Sequence, residues 1–233
     1  MTTNVPPTYE ATRRSLHAVA EHVLAAALHR ATGRIGLRAT PGGFGTPAHE
    51  VDGVERRLRV EGTDLVVDEG STSRRAPLRT VGGAAAFAGV EPGAPADVYR
   101  PATPLDPDAP LVVDPGAAAI VHHWFDLTDR ALTAFREQHA AGEPSIAQLW
   151  PEHFDLALTL SEVNYGGSPG DDQHTEPYLY VGPWRLDGHE GAFWNEPFGA
   201  SLPFGTVPSA GEALAFFAAG RSLTASAAAT PPG

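Results

Sequence analysis

The sequence predicts an α+β fold: short, mostly antiparallel strands with flanking helices, including a long helix near 115–141. Three observations predict it. Apolar residues recur at helical spacing in stretches that carry their own cap and stop residues. Short alternating runs between them have the period of strands. Two of these runs, Glu55–Glu61 and Asp64–Glu69, are separated only by Gly62-Thr63, as in a hairpin.

The elements follow in order. Thr8 caps a first helix whose apolar face holds Leu16, Val19, Val23, Leu24, Ala27 and Leu28, and Gly33 stops it. Arg34–Thr40 alternates as a strand, and Pro41–Pro47 reads as a loop with Phe44 packing down as a lid or plug. After the hairpin, Val81–Ala88 makes a short helix between the Thr80 cap and Gly89. Residues 90–113, rich in Pro, Ala and Asp, read as a linker or a long surface crossover.

The long helix has the strongest signals. Asp114 is its N-cap, Pro115 takes the first helical position, and Gly142 closes it before Pro144. Trp124, Leu127, Ala131 and Phe135 lie on its apolar face. On a wheel of 100° per residue, His122 and Asp126 fall opposite that face. Both are therefore expected in solvent, where a change costs within about half a kcal/mol. This speaks against the pair as metal ligands, although they stand one turn apart.

Phe154–Ser161 then alternates: Phe154, Leu156, Leu158 and Leu160 face one way, and His153, Asp155, Ala157, Thr159 and Ser161 the other. Tyr178–Val181 is a second strand, and Ala192–Phe198 and Ala200–Phe204 suggest one or two more. Ser209-Ala210-Gly211-Glu212 fits a capping box opening a last helix through Leu214, Phe216 and Phe217. Residues 225–233 read as a disordered tail of small residues. The chain is taken as one domain over 1–233, with sub-halves 8–100 and 110–225 as the alternative.

Composition narrows the chemistry. The 233 residues include no cysteine and no lysine, and all sixteen basic residues are arginine. That excludes iron–sulfur clusters, a PLP Schiff base and a Walker-type nucleotide site. Heavy use of Ala, Gly, Pro and Arg without Lys is the coding bias of a high-GC genome. The net charge is −12, and residues 101–233 carry 17 acidic side chains against 4 arginines. Without a basic stripe no nucleic-acid partner is expected, and an anionic membrane surface would repel the chain. The acidity serves solubility, or points to a cationic ligand or metal near the C-terminal half. Met1–Pro7 is polar and no apolar run reaches a membrane span, so a cytoplasmic location is expected.

Two motif matches fail in context. Gly166-Gly167-Ser168-Pro169-Gly170 fits the serine nucleophile elbow, but a strand follows instead of a helix. Pro169 also lacks the N–H that an oxyanion hole needs. The string reads as a tight turn. Gly43-Phe44-Gly45-Thr46-Pro47-Ala48 resembles a truncated dinucleotide fingerprint, but no helix follows it.

The segment 150–184 carries most weight, because a loop of about a dozen residues interrupts its hairpin and long loops are often functional. His153 and Asp155 are the catalytic candidates, on the polar strand face. Asp171, His174 and Glu176 in the loop are the metal candidates, although their spacing matches no known motif. Tyr165, Tyr180, Trp184 and Trp194 are the ligand-binding candidates, with an aromatic core as the alternative role. His153 is expected nearer Trp184 than His174, since the end of one antiparallel strand faces the start of its partner. A ligand is expected over the polar strand face, with the loop as a lid.

The string Leu149–Ala157, the Asn164–Asp171 loop, the Glu176–Val181 strand and the Thr40–Pro47 loop resemble an uncharacterised protein family of high-GC bacteria. A remoter likeness, around Phe154–Ala157 and Phe193–Phe204, is to a larger bacterial domain family of unknown function. Neither resemblance implies an activity, cofactor or catalytic residue. Three function classes follow from the residues. The first is a soluble protein binding a small molecule in a pocket formed by residues 150–196. The second is a metal-assisted or acid–base enzyme using the same His, Asp and Glu side chains. The third is an interaction or assembly module without a pocket. Oligomeric state is left open.

Overall fold

The computed structural model describes residues 5–186, 190–207 and 209–228. It is α+β, and the strand pairs with a defined register among the described residues are antiparallel. The chain divides into two compact units: Val5–Asp126 with Gln148–Asp155, and Leu127–Ala147 with Leu156 onward. The division falls inside the long helix, and the stretch 90–113 lies wholly within the first unit.

In the N-terminal unit, helix α1 (Tyr9–Val19) runs through a π-helical segment (Ala20–Ala25) into α2 (Ala26–Thr32). Gly33 ends α2 at φ 71°, a left-handed position that favours glycine. Thr8 precedes α1, but its side chain makes no capping hydrogen bond. Six strands follow: β1 (Arg38–Thr40), β2 (Gly43–Gly45), β3 (His49–Val51), β4 (Val54–Glu61), β5 (Asp64–Glu69) and β6 (Thr72–Pro77). They form one sheet in the order β1-β2-β4-β5-β6, with β3 beside β4. The β4–β5 hairpin turns at Gly62-Thr63 as the sequence indicates. Helix α3 (Val81–Ala88) is capped by Thr80, whose Oγ1 accepts the Gly83 N–H at 2.9 Å, and Gly89 closes it.

The stretch read as the loop Pro41–Pro47 contains strand β2, and the reason is steric. A Cβ at Gly43 would stand 2.0 Å from the Val60 carbonyl oxygen, and one at Gly45 would stand 2.4 Å from that of Leu58. Only glycine lets β2 pair this closely with β4. Between the two glycines Phe44 points inward, fully buried, with Phe154 and Phe125 at 5.2 and 5.8 Å. The plug reading of Phe44 therefore stands, but on a strand.

Helix α4 (Pro115–Gln138) starts where Asp114 Oδ1 accepts the Ala117 N–H at 2.9 Å. It ends three residues before the expected 141, and a 3₁₀ turn covers Ala140–Gly142. Trp124, Leu127, Ala131 and Phe135 are buried and Asp126 is exposed, as the wheel requires. His122 is not exposed: 7% of its surface reaches solvent. The apolar face read from sequence was too narrow. In this half of α4 burial extends through Ala118 to His122, because Phe44 reaches up beside the imidazole, 6.2 Å away.

Burial pushes the His122 imidazole down to about 4, so it is neutral in the folded protein. An unfolded chain takes up this proton near pH 6.5 and the native protein only near pH 4. Stability should therefore fall as pH drops through this window, by roughly 3 kcal/mol from this group. Urea titrations of wild type and His122→Leu across pH 4–7 check this: the variant should lose that part of the slope.

In the C-terminal unit four strands run in the order β8-β9-β10-β11: β8 (Asp155–Leu160, of which Asp155 itself falls in the other unit), β9 (Val163–Ser168), β10 (Tyr178–Pro183) and β11 (Ala200–Pro203). A further short strand, β7 (Gln148–Trp150), belongs to the N-terminal unit, where Leu149 exchanges two backbone hydrogen bonds with Leu37. Helix α5 (Ala210–Ala228) covers the expected last helix, with Ser209 Oγ and the Glu212 carboxylate in contact at its start. It also takes in residues 225–228 of the expected tail. Residues 229–233 lie outside the described residues. Of the further strands expected near the C-terminus, only Ala200–Pro203 forms. Among the described residues no helix is long and apolar enough to cross a membrane.

The polar string Gly166-Gly167-Ser168 is not a turn but the end of β9. The turn comes next, where Ser168 Oγ accepts the Gly170 N–H at 3.1 Å. Gly166 is in the strand because a Cβ there would meet the Leu156 carbonyl oxygen and the Tyr180 ring, each at 2.7 Å. Gly166→Ala should cost about 1–3 kcal/mol through overpacking, measured by urea unfolding.

Candidate functional site

Pairing register gives the C-terminal sheet two unlike faces. Leu158, Tyr165 and Val181 lie in line across the strands, as do Ala157, Gly166 and Tyr180 on the opposite face. The first face is the core. Tyr165 is fully buried there, with Phe135 and Phe217 at ring distances of 4.6 and 6.2 Å. Tyr165 is thus a packing residue, and Tyr180 stands on the other side of the sheet. Trp194 is half-buried and packs edge-on against Phe193 at 5.0 Å. Of the loop Arg185–Gly191, residues 187–189 lie outside the described residues.

The second face is open at one end. Trp184 is 62% exposed, yet its indole is held: Nε1–H donates to Asn164 Oδ1 at 3.2 Å. Thr159 Oγ1 donates to the same oxygen at 2.8 Å. Two donors on Oδ1 identify the opposite end of the amide as Nδ2. Gly182 pairs with Asn164, and a Cβ on it would have nothing nearer than 3.6 Å. Tyr180, half-buried, lies over Gly166 on the same face.

The missed strand β9 overturns the expected placement of Trp184. Because β9 lies between them, β8 and β10 run the same way: Leu156 pairs with Gly167, which pairs with Leu179. Trp184 stands at the far end of the sheet, where its N–H donates to the Glu162 carbonyl at 2.9 Å. It neighbours the β8–β9 turn, not the start of β8.

The loop after β9 is tied down by a polar network. Asp171 Oδ1 accepts the N–H groups of Gln173 and His174, both at 2.7 Å, and Oδ2 accepts the Tyr178 hydroxyl at 2.6 Å. Burial works against the Asp171 anion, but these donors hold its carboxyl below the usual range. His174 Nε2 donates to Glu196 Oε1 at 2.9 Å, and Ser201 Oγ donates to the same oxygen at 2.8 Å. The Ser201 hydroxyl and His174 together keep the Glu196 carboxyl low as well. Glu196 and Ser201 have no sequence signal, lying 22 and 27 positions beyond His174. Glu176 makes no part of the network, and among the described residues no three His, Asp or Glu side chains gather as a metal site. Asp171, His174 and Glu176 therefore do not form the expected ligand set.

The catalytic candidates belong to the other unit and do not share a polar face. His153 is exposed and Asp155 is 8% exposed. Phe154 between them takes φ 52° and turns into the core, which breaks the alternation expected there. Its ring stacks on His17 at 5.0 Å. His17 Nε2 donates to the Pro151 carbonyl at 2.7 Å, and burial holds its imidazole low despite Glu21 nearby. Ala157, the next member of the expected polar face, is buried too. The stretch 150–196, read from sequence as one pocket, is thus shared between the two units.

Sequence reasoning missed a buried polar row on the first helix: Arg13, His17, Glu21 and His22 are all under 8% exposed. The last two sit in the π-helical segment, an irregularity common at functional sites. Glu21 accepts from Ala102 N at 2.9 Å, Thr103 N at 2.8 Å and Thr103 Oγ1 at 2.5 Å. His22 donates through Nε2 to the Thr103 carbonyl at 3.0 Å and accepts from Ala94 N at 3.1 Å. These side chains fasten the 90–113 stretch, so their role is structural. No family model, curated protein or solved structure matches the chain.

Proposed function

We propose that this protein binds a small molecule on the open face of its C-terminal sheet, between Tyr180 and Trp184. The observation that carries the reading is the indole of Trp184, 62% exposed but fixed through Asn164. A large apolar surface left in water forgoes the stabilisation of burial. Here it is also prepositioned, so a ligand that stacks on it meets little ordering cost. The tethered 171–176 loop and the charged Glu196 lie on the same unit.

A ligand-observed NMR screen of a fragment library tests this, run on wild type and Trp184→Ala. Because Trp184 is exposed, the variant should keep its fold, which the near-ultraviolet circular dichroism of buried Trp124 verifies. Fragments that bind wild type should be lost on the variant. An unchanged set of binders would overturn the reading.

A further inference from the structure

We infer that the ligand is a neutral sugar ring; this rests on the proposed site between Tyr180 and Trp184. The spacing comes first. Tyr180, Gly182 and Trp184 alternate along β10 and its continuation, so the two aromatic residues stand about 13 Å apart with Gly182 midway. The floor there is Gly182, where a Cβ would already touch the Phe198 carbonyl oxygen at 3.6 Å and Tyr180 Cδ2 at 3.9 Å, so the free surface is the indole and not the glycine. A single six-membered ring can lie against the exposed indole, on the side that faces Gly182 and Tyr180.

The chemistry of the walls selects among rings. One wall is a flat apolar face, the exposed indole. Next to it stands the Asn164 amide, with Oδ1 already taking Thr159 and Trp184 and both Nδ2 hydrogens on the opposite side. Such a site wants a ligand with an apolar face and an edge that accepts hydrogen bonds. A pyranose has both: its axial C–H groups make an apolar face, and its ring of hydroxyls accepts and donates.

Charge argues for neutrality. Asp171 and Glu196, on the same unit as Tyr180 and Trp184, are held ionised and disfavour an anion. A cation is poorly served as well. Asp171 already accepts three donors through its two oxygens, and Glu196 accepts two through Oε1. Their charge is committed to tying the loop.

The test is isothermal titration with methyl β-glucopyranoside, methyl β-galactopyranoside and methyl α-mannopyranoside. Methyl β-glucuronide, choline and adenosine serve as anionic, cationic and aromatic comparators. Arg185, exposed beside Trp184, makes the glucuronide arm necessary. At least one neutral glycoside should bind, and Trp184→Ala should weaken it tenfold or more. Asn164→Asp should do the same, since it keeps oxygen for Thr159 and Trp184 but removes the Nδ2 donors. Binding of only a comparator, lost in Trp184→Ala, overturns the sugar and leaves the site standing. Glycoside binding indifferent to both variants overturns the sugar at this site. If no compound binds, the sugar falls, and the fragment screen decides the site separately.

Discussion

Trp124→Ala should lower stability by about 3–5 kcal/mol, seen as a fall in the urea midpoint at unchanged slope. Trp124 has no solvent exposure and sits in the first half of α4, in the unit whose aromatic core contains Phe44, Phe125 and Phe154. Truncation removes a nine-atom ring system from a close-packed interior, and a helix fixed by its own hydrogen bonds cannot collapse into the space. Asp126→Ala, two residues on and exposed, should stay within about half a kcal/mol. His122→Ala, which the wheel would rank with Asp126, should instead cost about 2 kcal/mol or more, because that side chain is buried beside Phe44. Equal effects at 122 and 126 would show that burial at His122 contributes nothing.

The second large effect is expected at Glu21. Its carboxylate is fully buried and accepts three hydrogen bonds, all from Ala102 and Thr103. Glu21→Ala leaves three donors without their acceptor, at about 1–3 kcal/mol each before relaxation, so a net loss of about 3–5 kcal/mol is expected. Hydrogen exchange should locate it: the amides of Ala102 and Thr103 should lose protection, and those of β4 and β5 far less. Asp106→Ala is the control. Asp106 is exposed and accepts only from Asp108 and Ala109 within its own turn, both at 3.2 Å. If the two variants exchange alike, Glu21 does not anchor this stretch.

Glu21 also shows why the buried polar row of the first helix carries no signal in the sequence. In the sequence it is an ordinary helix glutamate, and 90–113 is a stretch of Pro, Ala and Asp with no period. Neither carries a signal of its own, because the pairing joins residues about 80 positions apart. The same holds for His174 and Glu196, joined by a 2.9 Å bond that no local spacing announces. His153 and Asp155 were read as neighbours on one strand face, which assumes a regular strand. Phe154, drawn into the aromatic core at positive φ, removes that assumption. Tyr165 and Tyr180 were grouped by composition, and the register of β9 with β10 sets them on opposite faces.

What the sequence determined by itself was local. The Thr80 and Asp114 caps, the Gly62-Thr63 hairpin turn, the Ser209–Glu212 box and the apolar faces of α4 and α5 all arise from interactions within a few residues, and so did the α+β class. The absence of lysine and cysteine bounded the chemistry without any fold. Tertiary structure decided which polar groups are buried, which strands pair, and which aromatic residue remains in water. Gly43 and Gly45 make a strand only because β4 passes within a glycine's reach, and β9 places Trp184 at the β8–β9 turn only because it inserts between β8 and β10. Those outcomes depend on partners distant along the chain, and a periodicity measured over a dozen residues holds no record of them.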